Sequence, residues 1–132
     1  MARFDPHDPP VALLDFVAEH HLATLTTLCD DGSPHVVPVG FTFDQERVLV
    51  RVITFAGSRK ARNLRAQPQS RAAVCQVDRG RWLTFEGPAI VRSDAESNAE
   101  GVRRYADRYR IPKDRSDRVT IEITVDTIRG RI

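Results

Sequence analysis

Short apolar, β-branched runs separated by turn signals make up most of this chain, and helical periodicity appears in only a few places. From Pro10 through His20, Val11, Leu13, Leu14, Phe16 and Val17 fall at helical spacing. The spacing predicts a helix over about residues 9–20, with Pro10 in its first turn. Leu22 to Leu28 then reads as a strand ending at Asp30-Asp31-Gly32-Ser33, and an Asp-Gly pair between two such runs signals a hairpin. The return strand is Pro34 to Phe43. Pro38 within it cannot donate to a ladder, which marks an edge, a bulge or interrupted pairing. Gly40 agrees with a bulge or a close backbone approach. Asp44-Gln45-Glu46 turns the chain, and Arg47 to Thr54 is the third strand.

That strand breaks at Gly57, and a short helix over residues 58–67 opens on Ser58 and stops at Pro68. Arg71 to Asp78 is a fourth strand and Arg81 to Arg92 a fifth, joined by a turn at Asp78-Arg79-Gly80. Ser93 or Asp94 caps a helix reaching about Arg110, with Val102, Tyr105, Ala106 and Tyr109 as its inward stripe. Val119 to Val125 alternates cleanly, which predicts a sixth strand with one wet face and one buried face. Residues 1–8 show no periodicity and read as a loose lead-in. Six hairpin-linked strands are antiparallel neighbours, and closing them removes exposed edges. The expected fold is mainly β: a small six-stranded antiparallel barrel with peripheral helices, as one domain over residues 1–132.

The chain has 132 residues, 41% of them hydrophobic and 29% charged, which suits a single globular core. No apolar run approaches the roughly 20 residues of a membrane span, and the N-terminus lacks a signal-peptide pattern, so no membrane partner and a cytoplasmic location are expected. A net charge of +2 gives no ground for a nucleic-acid partner. Cys29 and Cys75 have no ligand or redox spacing and read as reduced core thiols. His20, His21 and His35 find no further ligand at a fitting spacing, so no metal site is expected.

Candidate chemistry concentrates in the turn after the third strand. With Ser58 as the cap, the first helical N–H groups and the positive end of the helix dipole favour an anion. Arg59, Lys60 and Arg62 add charge in the same turn. Of 20 basic residues only Lys60 and Lys113 are lysines, so a compact ammonium here departs from the habit of the chain.

The element order, together with Leu22-Ala23-Thr24-Leu25, Pro34-His35-Val36-Val37-Pro38-Val39, Ser58-Arg59-Lys60-Ala61-Arg62-Asn63-Leu64, and Trp82 with Glu86-Gly87, resembles the pyridoxamine-5′-phosphate-oxidase-like split barrel. Within that superfamily the pattern is similar to the flavin/deazaflavin oxidoreductases. It looks most like the mycobacterial deazaflavin-dependent biliverdin reductase type, through Arg104-Tyr105 and Arg108-Tyr109-Arg110. The resemblance covers roughly residues 10–127.

The resemblance implies an FMN-binding-type split barrel that acts as a homodimer with two cofactor sites at its interface. Coenzyme F-420 is the implied cofactor, with FMN the alternative. His35, Val36, Val37, Pro38 and Val39 would lie against the tricyclic ring. Thr54, Ser58, Lys60 and Asn63 would hold the phosphate-bearing tail with Arg59 nearby, and Trp82 would border the ring or the substrate space. The implied reaction is hydride transfer from the reduced cofactor to a small conjugated substrate, with biliverdin to bilirubin the first expectation. An FMN-dependent reductase and a non-catalytic flavin or deazaflavin carrier are the alternatives. No catalytic residue is singled out, because the cofactor carries the hard chemistry. Pyridoxamine phosphate oxidation itself is not expected, since His35 and Gly40 stand where such oxidases carry an arginine and a lysine. Arg103, Arg104, Arg108 and Arg110 are candidates for substrate carboxylates, against a solvated helix face for most of them.

Overall fold

A computed structural model describes all residues, Met1–Ile132. The chain forms nine strands and three helices in the order β1 (Ala2–Phe4), α1 (Val11–Ala18), β2 (Ala23–Leu28), β3 (Pro34–Val39), β4 (Thr42–Asp44), β5 (Leu49–Phe55), α2 (Arg59–Ala66), β6 (Arg71–Asp78), β7 (Arg81–Arg92), α3 (Ala95–Arg108), β8 (Arg118–Thr124) and β9 (Thr127–Arg131). Every strand pair is antiparallel. The main path runs β3-β2-β6-β7-β8-β5-β4, with β9 on β7 and β1 on β9. Only Gly40 and Phe41 separate the two end strands β3 and β4, so the curled sheet nearly closes on itself.

The expectation of a mainly β antiparallel fold with outer helices holds; the count of six strands does not. Three changes account for the difference. The run 34–43 divides at Gly40-Phe41 into β3 and β4. The end of the chain forms β9, where Ile128 and Gly130 face the core and Arg129 faces out. Residues 1–8, expected to be loose, contain β1, whose Phe4 lies opposite Ile128 and packs on the core.

Long β7 is the strand at which the barrel splits. Residues Trp82 to Glu86 pair with β9, whereas Ala89 to Arg92 pair with β8. Gly87 sits between, and a Cβ there would lie 1.8 Å from the Thr124 carbonyl oxygen, so only glycine fits. The core is continuous through both halves, from Leu25, Val74, Leu83 and Phe85 to Val50, Val52, Ile121 and Ile123. Val48 enters β5 at φ 55°, a left-handed value unusual for a β-branched residue, and its carbonyl takes the Val125 N–H at 3.0 Å.

The hairpin at Asp30–Ser33 is a three-residue loop with Gly32 at φ 84°; Cys29 N–H bonds to Ser33 O at 2.8 Å. Alternation from that bonded pair makes Thr27–His35, Leu25–Val37 and Ala23–Val39 the hydrogen-bonded pairs. Pro34 and Pro38 therefore fall at positions whose nitrogens point away from β2, toward the free edge of the sheet. That is why a strand with two prolines still pairs along its whole length.

Strand β8 departs from its expected clean alternation. Thr120 and Glu122 are buried like their apolar neighbours, because α3 covers the face expected to be wet. Gly101 permits that approach: a Cβ there would meet Thr120 Oγ1 at 2.8 Å and Ile53 Cγ2 at 2.9 Å. Gly101 is the buried residue of α3, whereas Val102, Tyr105, Ala106 and Tyr109, the expected stripe, are half-buried.

Candidate functional site

The turn into α2 forms as its sequence predicts. Ser58 is the N-cap, and its Oγ accepts from the Ala61 N–H at 3.3 Å. Arg62 N–H bonds to Ser58 O at 3.0 Å. The amides of Arg59 and Lys60 have no partner within the chain. Lys60 is half-buried, and burial lowers its ammonium pKa from the ordinary value. None of Arg59, Lys60, Arg62 or Arg65 has a carboxylate within 4.0 Å. Asp31 senses Arg59 through space without touching it. A helix start with two open amides and an unneutralised, half-buried ammonium favours negative charge.

The inner side of α2 closes one end of the barrel with polar contacts. Asn63 is 4% exposed, and its Nδ2 donates to Thr27 Oγ1 at 3.1 Å. The resemblance implies that Asn63 meets the ligand, but its amide nitrogen is committed inward. His35 lies opposite Thr27, and its Nδ1 is buried without a partner. Thr54, also buried, sits on the core face near the end of β5, just before the turn into α2.

Along β3 the expected ring contacts divide by face. His35, Val37 and Val39 turn inward, whereas Pro38 and Val36, 55% exposed, turn outward. Trp82 is on the outer face too, but on β7. Three strand spacings, about 14 Å, separate it from β3 within one chain. Thr54, Ser58, Arg59, Lys60 and Asn63 cluster around α2, with His35 at the adjoining end of β3; Trp82 stands apart.

Gly40, read as a bulge or a close approach, is the latter. Its missing side chain leaves room for Tyr105 and Tyr109, whose ring carbons would stand 2.9 and 3.0 Å from a Cβ there. Tyr109 Oη donates to His21 O at 2.7 Å and accepts from Phe41 N–H at 3.2 Å. Burial raises its pKa. The two rings stack at 5.0 Å between centroids. Gly40 is the one sign of this seat for α3 in the sequence.

The α3 arginines are mostly committed, and not to solvent. Arg104 pairs with Asp44 and Glu100, at 3.1 and 2.7 Å. Arg103 pairs with Glu100 and Asp107. Arg108 donates to the carbonyls of Glu19, Phe41 and His21 and to Gln76 Oε1, stitching α3 to the barrel. The expected solvated face is thus largely tied by these contacts, although Arg103 and Arg110 stay exposed. Two clefts flank this helix, of about 400 and 650 Å³. Neither includes a cofactor residue expected from the sequence, but Arg103 and Arg104, candidates for substrate carboxylates, line both, and Arg108 lines the smaller.

His21 does gain acidic neighbours through the fold, Glu19 and Asp78, within 4.8 Å of one another. Arg81 bridges both carboxylates, at 3.0 Å to Glu19 and 2.5 Å to Asp78, and supplies the positive charge a cation would bring.

Comparison with known proteins gives this geometry its relatives. The model of the pyridoxamine 5′-phosphate oxidase family matches residues 10–131. A biliverdin reductase of Mycobacterium tuberculosis, dependent on reduced F-420, is 49% identical over 117 residues, spanning 89% of this chain and 84% of the relative. Among solved structures, a conserved hypothetical protein of Mycobacterium tuberculosis superposes with a TM-score of 0.77 at 25% identity, covering 93% of this chain and 84% of that one. An F-420 reductase superposes with a TM-score of 0.70 at 25% identity, covering 87% and 94%. With nearly the whole chain matched and the split barrel formed, the protein belongs to the pyridoxamine 5′-phosphate oxidase family.

Proposed function

We propose that this protein is an F-420-dependent oxidoreductase that reduces biliverdin to bilirubin. The observation that carries the proposal is the α2 start: two open amides and the half-buried Lys60 ammonium, with no acid of the chain to answer them. These groups fit the phosphate of a deazaflavin tail. When bound, the reduced deazaflavin supplies a hydride; biliverdin takes that hydride on carbon and a proton on nitrogen. The relative at 49% identity is named for this reaction. The chain itself holds the tail at Ser58, Arg59 and Lys60, with Thr54 and Asn63 shaping the wall behind them, and presents β3 to the ring.

The working form is a homodimer. Across β3, β2, β6 and β7 the outer face carries Val36, Pro38, Thr24, Cys75, Val77 and Trp82 and is uncharged over most of its width. Val36 and Val77 are 55% and 61% exposed in the single chain. A second copy laid on that face would cover them and bring Trp82 toward the cofactor. No helix is long and apolar enough to cross a membrane, and Cys29 and Cys75 are free thiols, in keeping with a cytoplasmic enzyme.

The test mixes the protein with reduced F-420 and biliverdin. Oxidation of the cofactor that depends on biliverdin, with bilirubin as product, is expected. Tight cofactor binding without turnover would make the protein a carrier instead, and sedimentation showing only monomer would remove the interface site.

A further inference from the structure

Apart from Arg71 at the start of β6, positive charge on the outer face of β3, β2, β6, β7 and β9 lies on one flank. Arg129 and Arg131 point outward from β9, and Arg3 points outward from β1 directly opposite Arg129. Arg129 pairs with Glu86, and nearby Arg71 is held by Asp126 through two bonds of 2.7 and 2.8 Å. Arg3 and Arg131 have no carboxylate within 4.0 Å. Like charges placed directly across a strand pair destabilise it, so this corner carries two arginines more than its acids answer. Trp82 lies directly opposite Arg131 and on the same face, so a flat indole borders the unanswered charge. Arg3 and Arg131 are diagonal neighbours, roughly 7–8 Å apart at Cα.

Resting on the oxidoreductase proposal above, we propose that Arg3 and Arg131, with Trp82 between them and the open face, form the subsite that grips the two propionate carboxylates of the tetrapyrrole. Each guanidinium offers a planar fork matched to one carboxylate. The α3 arginines are poorly placed to do so, because Arg103, Arg104 and Arg108 already hold partners. The flank also lies where the reaction needs it. Across the outer face the strands run β3, β2, β6, β7, β9, with β6 in the middle. A two-fold axis along β6 sets the β9 flank of one copy over β3 of the other. The carboxylates are then held by one protomer while the conjugated plane lies on the cofactor strand of its partner.

The test compares biliverdin with its dimethyl ester, which keeps the conjugated plane and loses both charges. The wild-type homodimer is expected to prefer the diacid in kcat/KM. The Arg3→Gln, Arg131→Gln double variant is expected to raise the KM for biliverdin at least tenfold, and to bring the diacid-to-diester preference close to one. Arg131→Lys is expected to recover part of the preference. The affinity for reduced F-420, read by fluorescence, reports folding of each variant and is expected to stay within twofold. An unchanged preference in a double variant that binds cofactor normally would overturn the subsite alone. A wild-type protein that binds cofactor but neither binds nor reduces biliverdin would remove the oxidoreductase proposal and the subsite with it.

Discussion

Asp44 and Arg51 meet across the β4–β5 hairpin at 2.9 Å, with side chains only 4% and 2% exposed. Desolvation alone would raise the Asp44 pKa. The Arg51 hydrogen bond, the Arg47 amide and the Arg104 charge outweigh it, and the carboxyl stays below its usual value. Arg51 Nε has no partner, so this side chain depends on Asp44 for its neutralisation. Asp44→Ala is therefore expected to destabilise by about 3–5 kcal/mol, the penalty of an uncompensated buried charge. Urea unfolding of the variant checks this.

Acid should weaken two further ion pairs. Contact with Arg103 and Arg104 lowers the Glu100 pKa from 4.5 to about 2, and Arg71 lowers that of Asp126 to about 2. Both folded values lie below the unfolded ones, so the unfolded chain binds these protons first. Their contribution is full above the unfolded pKa and is lost as pH falls through the folded value. The two side chains are 34% and 49% exposed, so screening by solvent keeps each effect modest. Melting temperature is expected to drop between about pH 4.5 and pH 2, and Glu100→Gln should flatten part of that slope.

At the α2 turn, Lys60→Ala is expected to cost about 1.5–3 kcal/mol of cofactor binding, or roughly tenfold to a hundredfold in affinity. Affinity should also fall as pH rises toward the lowered pKa of this ammonium. Fluorescence titration of reduced F-420 across pH reads both effects, and an unchanged affinity would remove Lys60 from the site.

Gly101→Ala places a methyl within 3 Å of Thr120 Oγ1 and Ile53 Cγ2. Helix α3 must then lift from β8 and β5, for a loss of about 1–3 kcal/mol. Thermal unfolding measures the loss. A stabilised variant would show that helix propensity, rather than close packing, decides at this position.

Local signals explain what could be read in advance. The hairpin at Gly32, the Ser58 cap and the period-two runs act over a few residues, and they place most strands, the helices and the turn into α2. Features set by distant packing were hidden. Thr120 and Glu122 look like solvent positions, yet Thr120 Oγ1 donates to Asn98 Oδ1 at 2.8 Å and Glu122 pairs with Arg92 beneath α3. The strand β9 alternates Ile128 with Arg129 over too few residues to stand out without β1 and β7 beside it. For the candidate site, the charge of Lys60 was legible. The inward turn of Asn63 depends on Thr27, 36 residues away in sequence.

The two prolines of β3 have one more consequence. An outermost strand with a full row of free N–H groups is a template on which other chains can stack into aggregates. Pro34 and Pro38 take away the donors at their positions, so the outer rim of β3 between them offers only the Val36 N–H. A flat molecule can still rest along that rim, but another strand cannot zip onto it. Replacing Pro38 with a residue that carries an amide hydrogen would restore a donor, and with it a route to insolubility that leaves the folded barrel untouched.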